Sequence, residues 1–272
     1  MLVLHPDESF EPVAVDGFLA DSDVERKTVS GWELDAGPLP AGGADLRLDQ
    51  RSCSPIDGLA GSACYAASEA THGGTPVVYG AAFRTRDRID LQYWLWYPYD
   101  DFSPAYPAND FWQAHEGDWE SVSVVLDRAG NPLTVAYSQH RKGRRRAWAL
   151  APKRGLRPLV YVGLGSHANF FTVGEQPLRV PLVDQAVINV MKAYGVPVPA
   201  DHTGRGRVIR PTLVRISART PSWMTYAGAW GEAEYLHIPR RDPLFVGLGP
   251  RGPAFHAQWK RPVTEEMSWP RG

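Results

Sequence analysis

The chain has 272 residues, a formal net charge of −1, and hydrophobic residues at 43% of its positions. This composition is typical of a globular protein and excludes a largely disordered chain. The near-neutral charge argues against a nucleic-acid partner, and no run reaches the roughly 18 apolar residues of a membrane-spanning helix. The first residues lack the basic and apolar regions of a secretory signal, so we expect a cytoplasmic protein.

The first 74 residues are rich in turn-forming residues and show little periodicity. We expect them to form a loop-rich arm, packed on the core of one domain that spans residues 1–272. The sequence contains two cysteines, Cys53 and Cys64. In a reducing cytoplasm we expect free thiols, and a disulfide is the alternative.

From Thr75 onward, the hydrophobic patterns predict a series of β-strands. They cover the segments 75–85, 89–97, 119–127, 132–140, 157–165 and 212–218. Apolar residues at helical spacing predict one helix at 184–194. With 26 glycines and 24 prolines between short segments, the sequence predicts a mainly β protein. We expect an antiparallel β-sandwich with long loops and one or a few peripheral helices.

The most informative segment runs from His115 to Glu120 and enters a predicted strand. Because side chains alternate along a strand, Asp118 and Glu120 share a face with the apolar residues Val122 and Val124. Two carboxylates on an apolar face are costly without a cationic partner. A divalent cation would supply one: oxygen ligands suit Ca²⁺ or Mg²⁺, and an added imidazole also suits Mn²⁺. The alternative is that both carboxylates are solvated at the rim or pair with a distant arginine.

Further polar residues stand at the ends of other predicted strands. Asp100 ends the aromatic strand, and His140 and His167 end or follow two later ones. Functional residues are often carried at the ends of rigid strands, and imidazole titrates near neutral pH. His140 and His167 are therefore candidates for a general base and acid, with Glu116 as a reserve carboxylate. A purely structural role is the alternative for each histidine.

A strongly basic run at 141–146 follows His140. It is either a solvated hairpin or an anion clamp, in which Arg144 and Arg145 bind a phosphate, sulfate or carboxylate of the substrate. Ser166 is a further candidate for substrate binding, although it lacks the G-x-S-x-G context of a nucleophile elbow. The sequence contains no phosphate-binding loop and no dinucleotide motif, so a nucleotide cofactor is not expected.

Four segments follow one another along residues 4–171: LHPDESFEPVAVDGFL, HEGDWESVSVVLD, AYSQH and RPLVYVGLGSHANFF. Together with the later strings AGAWGE and GPRGPAF, they resemble the vacuolar protein sorting protein sixty-two family. That family name reflects a trafficking context in fungi and implies little about chemistry.

The strings YWLWYPYD and HEGDWE are similar, more distantly, to the necrosis- and ethylene-inducing-like proteins. In that family an aromatic strand ends in Pro-x-Asp, a Gly-His-x-His-Asp-Trp-Glu loop follows, and the fold is a β-sandwich. This resemblance implies a divalent cation surrounded by Asp100, His115, Asp118 and Glu120. The second histidine of the family's loop is replaced here by Gly117.

These features predict a divalent-metal-dependent enzyme that acts on a small or medium organic substrate by hydrolysis or a related acid–base step. The expected cofactor is Ca²⁺ or Mg²⁺, with Mn²⁺ possible on the same ligands, and the expected ligand is a small molecule, a glycan or a lipid-derived compound. The alternative is a non-catalytic, lectin-like module that binds a glycan or a lipid head group through the same metal loop. A structural cation is a third interpretation, and the oligomeric state is left open.

Overall fold

The structure is a computed structural model, and it describes residues 1–35, 37–53, 63–67, 74–102, 112–140, 142–177, 189, 192–193, 195, 200–232, 234–237, 244–260 and 267–268. Strands dominate this part of the chain and the helices are short, which confirms the predicted mainly β class. The helix predicted at 184–194 lies almost entirely outside the described residues. That one domain spans the whole chain stays a prediction.

The strands of the first half are β1 (Leu2–Val3), β2 (Ser22–Lys27), β3 (Trp32–Leu34), β4 (Leu46–Gln50), β5 (Val77–Arg84), β6 (Ile89–Asp101), β7 (Trp112–Leu126), β8 (Pro132–Gln139) and β9 (Lys142–Ala147). Those of the second half are β10 (Lys153–Arg154), β11 (Arg157–Pro158), β12 (Val160–Val162), β13 (Asn169–Phe170), β14 (Gly174–Pro177), β15 (Ala200–Thr203), β16 (Val208–Ile209), β17 (Thr212–Arg215), β18 (Ala229–Trp230), β19 (Glu234–His237), β20 (Leu244–Gly247) and β21 (Met267–Ser268).

The helical elements are α1 (Val15–Ala20), α2 (Ala257–Lys260), a helical turn at 63–67, and 3₁₀ turns at Trp148–Leu150, Ser222–Thr225 and Pro253–Phe255. Of the helices that the structure describes, none has the length and apolar character needed to cross a membrane.

One large sheet forms the centre of the fold. Its strand order is β17–β5–β6–β7–β8–β9–β21, and β19 pairs with β7 and with β20. All of these pairs are antiparallel except β17 beside β5. Two smaller sheets have the orders β13–β12–β1–β16 and β18–β4–β2–β3. The strand pairs β10–β11 and β14–β15 stand apart as two-stranded ribbons.

Both faces of β6, a central strand of the large sheet, are buried, which explains why most of its residues are apolar. Leu95 and Tyr97 pack into one core with residues of β1 and β12. Trp94 and Trp96 pack into a second core with residues of β4 and β18. Since neighbouring side chains of a strand point to opposite faces, a strand covered on both sides needs apolar residues at successive positions. The result is a β-sandwich whose central sheet is shared by two cores.

Both predicted pairs of long strands are present as β5–β6 and β7–β8. The register of β7 and β8 sets Val122 opposite Tyr137. However, β6 runs on to Asp101 and β7 begins already at Trp112. The segment that carries Asp100, and the run from His115 to Glu120, therefore lie within paired strands.

Residues 1–74 contribute more regular structure than the predicted loop-rich arm. Strand β1 lies between β12 and β16, and β2, β3 and β4 form most of the other small sheet. Val15 and Phe18 of α1 are buried in the second core. These strands are two to six residues long, and β1 and β4 also pair with strands far away in the chain. Elements so short carry too little periodicity to be recognised in the sequence.

The two cysteines are paired. Cys53 and Cys64 form a disulfide, so the expectation of free thiols was wrong. Their Cα atoms are 5.7 Å apart, which is a usual separation for a disulfide. The bond ties the chain just after β4 to the helical turn at 63–67. The approach is created by tertiary packing, and the spacing of two cysteines in a sequence cannot reveal it.

Candidate metal centre

Three potential metal ligands meet where β6 and β7 pair. One oxygen or nitrogen atom from each of Asp100, Asp118 and His167 lies within 4.8 Å of the others, and we call these residues the ligand group. Asp100 and Asp118 come from the paired strands, and His167 comes from the loop between β12 and β13. All three are buried, with exposed fractions of 6%, 8% and 0%.

His167 is the most enclosed member of this group. Its Nδ1 lies 3.1 Å from Oδ2 of Asp118, and its Nε2 lies 3.6 Å from Oε1 of Glu8. Its ring stacks on Tyr97, with centroids 3.9 Å apart. Its φ of +51° is in the left-handed region, which a residue other than glycine adopts only where the surroundings hold it there.

Crowded negative charge shifts the acid–base equilibria of the group. Burial by itself lowers the pKa of His167, but the carboxylates of Glu8 and Asp118 outweigh it and raise that pKa well above its usual value. Burial raises the pKa of Asp100 to about 7, with His115 opposing the rise and Asp118 adding to it. The raised pKa values of these two groups mean that protons compensate part of the charge.

The predicted ligand His115 borders the ligand group. Its Nε2 lies 3.8 Å from Oδ2 of Asp100, the residue that faces it across the β6–β7 pair. Its Nδ1 donates a hydrogen bond of 2.8 Å to the carbonyl oxygen of Gly117. This bond leaves Nε2 as the ring nitrogen that faces the group.

Glu120, the fourth predicted ligand, lies at another border of the group. Its carboxylate accepts a hydrogen bond from the Ser138 hydroxyl, and Nδ2 of Asn169 lies 3.3 Å from its Oε2. Burial, together with the charge of Asp118, raises the pKa of Glu120 well above its usual value. The buried Oδ1 of Asn169 has no hydrogen-bond partner within the described part of the chain. Such an amide oxygen is a suitable additional ligand for a hard cation.

His140 is the exposed end of a hydrogen-bonded chain. Its side chain is 38% exposed, and its Nε2 donates to Oδ2 of Asp201 over 2.8 Å. Oδ1 of Asp201 accepts a hydrogen bond from the Ser166 hydroxyl. Burial lowers the pKa of His140, but Asp201 outweighs it, so the pKa is raised. His140 has a φ of +52° and directly follows β8 in the tight turn to β9.

The predicted reserve carboxylate Glu116 has different surroundings. It accepts hydrogen bonds from two backbone N–H groups, at 3.0 and 3.2 Å, and from the hydroxyl of Tyr65. Simple alternation along β7 would place Glu116 on the face of Asp118. The residue between them, Gly117, has a φ of +62°, which interrupts the alternation. Glu116 is therefore not brought into the ligand group, and it links β7 to β4 and to the helical turn at 63–67.

The predicted anion clamp is divided between two faces. Arg144 and Arg145 are consecutive in β9, so their side chains point to opposite sides of the sheet. Arg144 pairs with Tyr137 of β8, which places it two strands, or about 10 Å, from β7. Neither arginine forms an ion pair with the ligand group among the residues described. Position 141, the first of the basic run, lies outside the described residues.

Two buried carboxylates of the site were missed by the sequence analysis. Glu8 accepts hydrogen bonds from the backbone N–H groups of Phe10 and Gly165, at 2.9 and 2.8 Å. Asp201, which is 1% exposed, joins His140 to Ser166. Glu8 lies in the first segment of the family resemblance, which was the available signal for it. Asp201 lies in a four-residue strand whose sequence gave no signal.

The region carries more negative than positive charge. We call its titratable residues the acidic–histidine cluster: Glu8, Asp100, Asp118, Glu120 and Asp201 with His115, His140 and His167. If all five carboxylates were ionised, two negative charges would be left over even with all three histidines protonated. Within the described ranges, no lysine or arginine forms an ion pair with any of these carboxylates. Carboxylates, imidazoles and an amide oxygen are a donor set that fits a divalent cation.

The fold and the site together define a class: a β-sandwich protein with a buried acidic and histidine centre between its central strands. Two curated relatives from Saccharomyces cerevisiae match the chain. TDA6, a candidate vacuolar protein sorting-associated protein, is 25% identical over 198 residues, which cover 61% of this chain and 41% of TDA6. Vacuolar protein sorting-associated protein 62 is 24% identical over 220 residues, which cover 66% of this chain and 44% of that protein.

These matches confirm the resemblance to the vacuolar protein sorting-associated protein 62 family. The chain spans less than half of the length of the curated relatives it matches. No family model matches the chain, and no solved structure matches it. The more distant resemblance to the necrosis- and ethylene-inducing-like proteins stays a prediction.

Proposed function

We propose that the chain is a divalent-metal-dependent enzyme that acts on a small or medium organic substrate by hydrolysis or a related acid–base step. One observation carries the proposal: the acidic–histidine cluster holds an excess of buried carboxylates without a lysine or arginine partner among the described residues. Buried charge without a counter-ion is costly, so protons or a metal cation must offset it. Since five carboxylates outnumber three imidazoles, a bound cation would offset the charge that the imidazoles leave uncompensated once the carboxylates ionise.

Asp100, Asp118 and His167 are the residues that would hold the cation, with His115 and Glu120 beside them. The carboxylates suit Ca²⁺ or Mg²⁺, and the imidazole also suits Mn²⁺. A bound cation would supply a Lewis acid that polarises a substrate oxygen. An imidazole ligates a metal through a deprotonated nitrogen, so binding at His167 would release a proton. We therefore expect the cation affinity to fall as the pH is lowered.

His140 is the residue that we assign to proton transfer with the substrate. A ligand arriving from solvent would meet His140, which is 38% exposed, before it meets His167, which is fully buried. Asp201 orients the imidazole of His140, and the hydroxyl of Ser166 orients Asp201. This arrangement resembles the general pattern in which a buried carboxylate fixes a catalytic histidine. His167, also predicted as an acid–base residue, is assigned to the cation because of its enclosure.

The first test is metal content. Purified protein should contain about one divalent cation per chain, and chelation should lower its melting temperature, because a ligand that binds the folded state alone stabilises it. Asp118→Asn should abolish the metal-dependent rise in melting temperature. Glu116→Gln is the matched control, since it removes a buried carboxylate of the same strand that accepts hydrogen bonds from backbone N–H groups and lies outside the ligand group; it should leave metal binding intact. The proposal would be contradicted if the purified protein contained no metal and its melting temperature did not change on addition of Ca²⁺, Mg²⁺ or Mn²⁺.

The burial of the ligand group favours a second candidate function. Asp100, Asp118 and His167 are at most 8% exposed, and such an enclosed cation suits the third interpretation of the sequence, a structural cation in a non-catalytic binding module whose work is done elsewhere. His140→Gln separates the two functions. For an enzyme, turnover should fall by roughly 10²–10⁴-fold at unchanged metal content. For a binding module, metal content and ligand binding should both survive.

The cellular location belongs to this proposal as well. The sequence predicts a cytoplasmic protein, but the disulfide between Cys53 and Cys64 favours an oxidising compartment. The two alternatives can be distinguished by treating the cells that make the protein with an alkylating agent and counting the free thiols of Cys53 and Cys64. Free thiols would support the cytoplasm, and blocked thiols would support the oxidising compartment.

A further inference from the structure

The charged residues of the chain are strongly segregated. Residues 128–174 contain nine lysines and arginines and not one aspartate or glutamate, although the whole chain has a net charge of −1. This basic region includes β9, the 3₁₀ turn Trp148–Leu150 and the ribbon β10–β11. A surface that concentrates positive charge repels itself and attracts polyanions.

The ribbon β10–β11 places like charges side by side. Arg154 and Arg157 are directly paired across its two strands, and Gly155 and Leu156 form the turn between them. Like charges directly opposite each other destabilise a strand pair. Both arginines are exposed, and neither forms an ion pair with a described carboxylate. An anion bound between them would relieve the repulsion.

Two leucines project from the same stretch of chain. Leu156, at the tip of the ribbon, is 79% exposed, and Leu150, in the 3₁₀ turn, is 73% exposed. The 3₁₀ turn and β10 are tied together by Lys153, whose Nζ donates to the carbonyl oxygens of Trp148 and Ala149 at 2.9 and 3.2 Å. A single exposed leucine is common, but here two of them accompany two arginines that have no ion-pair partner in the described part of the chain.

We propose that the surface formed by Leu150, Arg154, Leu156 and Arg157, which we call the basic ribbon surface, docks the protein on an anionic lipid membrane. Guanidinium groups bind lipid phosphates and carboxylates through paired hydrogen bonds. The leucines reach into the boundary between head groups and acyl chains. Peripheral membrane attachment typically combines these two contributions, since neither is sufficient alone.

The leucines also distinguish a membrane from a nucleic acid. A phosphate backbone would pair with the arginines, but it offers no apolar environment to Leu150 or Leu156. Binding of single strands relies on exposed aromatic rings for stacking. The aromatic ring of this unit, Trp148, is covered by Lys153, whose Nζ lies 5.7 Å from the ring centroid. The observations therefore favour lipid, and they are independent of the metal-dependent function proposed above.

The test measures co-sedimentation of the full chain with phosphatidylcholine vesicles, prepared with and without phosphatidylserine. We expect binding to the phosphatidylserine vesicles that weakens as salt is raised. Arg154→Gln and Arg157→Gln should each weaken partitioning about fivefold. The double variant Leu150→Ser/Leu156→Ser should weaken it about tenfold or more at unchanged charge. Arg219→Gln and Val29→Ser are matched controls, since both residues are exposed on other elements, and they should bind like the unchanged chain.

The proposal is overturned if the chain does not bind phosphatidylserine vesicles at low salt. It is equally overturned if the arginine and leucine variants of the basic ribbon surface bind as strongly as the controls do. It is also overturned if single-stranded RNA or inorganic phosphate binds in an arginine-dependent manner and the vesicles do not. Melting curves establish that each variant is folded, and all four residues are exposed, so we expect unchanged stability. Loss of binding in both the arginine and the leucine variants, with intact controls, supports the membrane assignment.

Discussion

The imidazole of His167 lies parallel to the phenol ring of Tyr97, with an angle of 3° between the rings and 3.9 Å between their centroids. Tyr97 is paired across the β6–β7 strands with Asp118. Tyr97, which supports the imidazole from one side, is therefore the cross-strand neighbour of Asp118, whose carboxylate contacts Nδ1 of the same imidazole. Stacking restricts the rotation of the ring, and this keeps Nδ1 directed at Asp118 and Nε2 at Glu8.

Tyr97→Leu should therefore disturb the ligand group without removing any ligand. We expect a loss of roughly 1–3 kcal/mol in the free energy of unfolding, because a buried ring is replaced by a smaller side chain. We expect cation affinity to fall by roughly 10–100-fold, as is usual when a residue that orients a ligand is lost. Titration calorimetry and urea unfolding measure the two effects. Tyr97→Phe keeps the ring and should retain the affinity; an equal loss in both variants would exclude a role for stacking.

Gly165 fixes the loop that carries His167. Its φ is +73°, and a Cβ atom at this position would overlap the carbonyl oxygen of Asp101. Gly165→Ala should therefore destabilise the fold by several kcal/mol, since neither backbone can move freely. Gly130→Ala is the control, because Gly130 has a φ of +91° but no atom within 4 Å of the added carbon; it should cost only about 1 kcal/mol of backbone strain. Thermal melting of both variants makes the comparison, and similar losses would show that the close approach to Asp101 is unimportant.

The long strands could be predicted because their patterns are local. In β6, the alternation of Trp94 and Trp96 with Leu95 and Tyr97 reflects two cores that each accept every second side chain. The shorter strands could not be predicted in the same way. Strand β1 forms because it pairs with β12 and β16, and its two residues are too few to show a hydrophobic pattern. Its partners lie more than 150 positions away in the chain.

The site was predictable where strand alternation is regular and unpredictable where the backbone departs from it. Asp118 and Glu120 are buried beside Val122, as the period of two requires. Glu116 is separated from them because Gly117 adopts a positive φ, which the sequence does not reveal. Glu8 reaches the site from the N-terminal segment, and it lies too far along the chain from His167 for the spacing of residues to predict their contact. Convergence of His140 with Asp201 likewise depends on how β8 and β15 pack.

The disulfide should make a measurable contribution to stability. Cys53 and Cys64 are separated by 11 positions in the chain, and closing a loop of this length stabilises a fold by roughly 3 kcal/mol through the unfolded state. The double variant Cys53→Ser/Cys64→Ser should lose about this amount in urea unfolding. The unchanged protein should lose a similar amount when a reductant is added, and the double variant should not respond to the reductant. A response of the double variant would mean that the reductant acts elsewhere.

Asp49 of β4 should make stability depend on pH. Its side chain is 17% exposed, its nearest cation is Nη2 of Arg47 at 4.0 Å, and its Oδ1 has no hydrogen-bond partner among the described residues. Burial, together with the charges of Glu232 and Glu25, raises its pKa to about 6. As pH rises from about 4 to 6, the unfolded chain loses this proton before the folded one does, so the folded state becomes less stable.

Asp49→Asn removes this unfavourable ionisation. The free energy of unfolding should increase by roughly 1–3 kcal/mol near pH 7, and the gain should vanish near pH 4, where Asp49 is protonated in the folded state. Urea unfolding at both pH values measures the difference. Asp127 supplies a control of opposite sign, because hydrogen bonds from Asn131 lower its pKa. Asp127→Asn should therefore destabilise the protein at neutral pH and lose its effect as the pH falls below the usual range of a carboxyl group. A gain for Asp49→Asn that is the same at both pH values would show that burial of the charged carboxylate is not its cause.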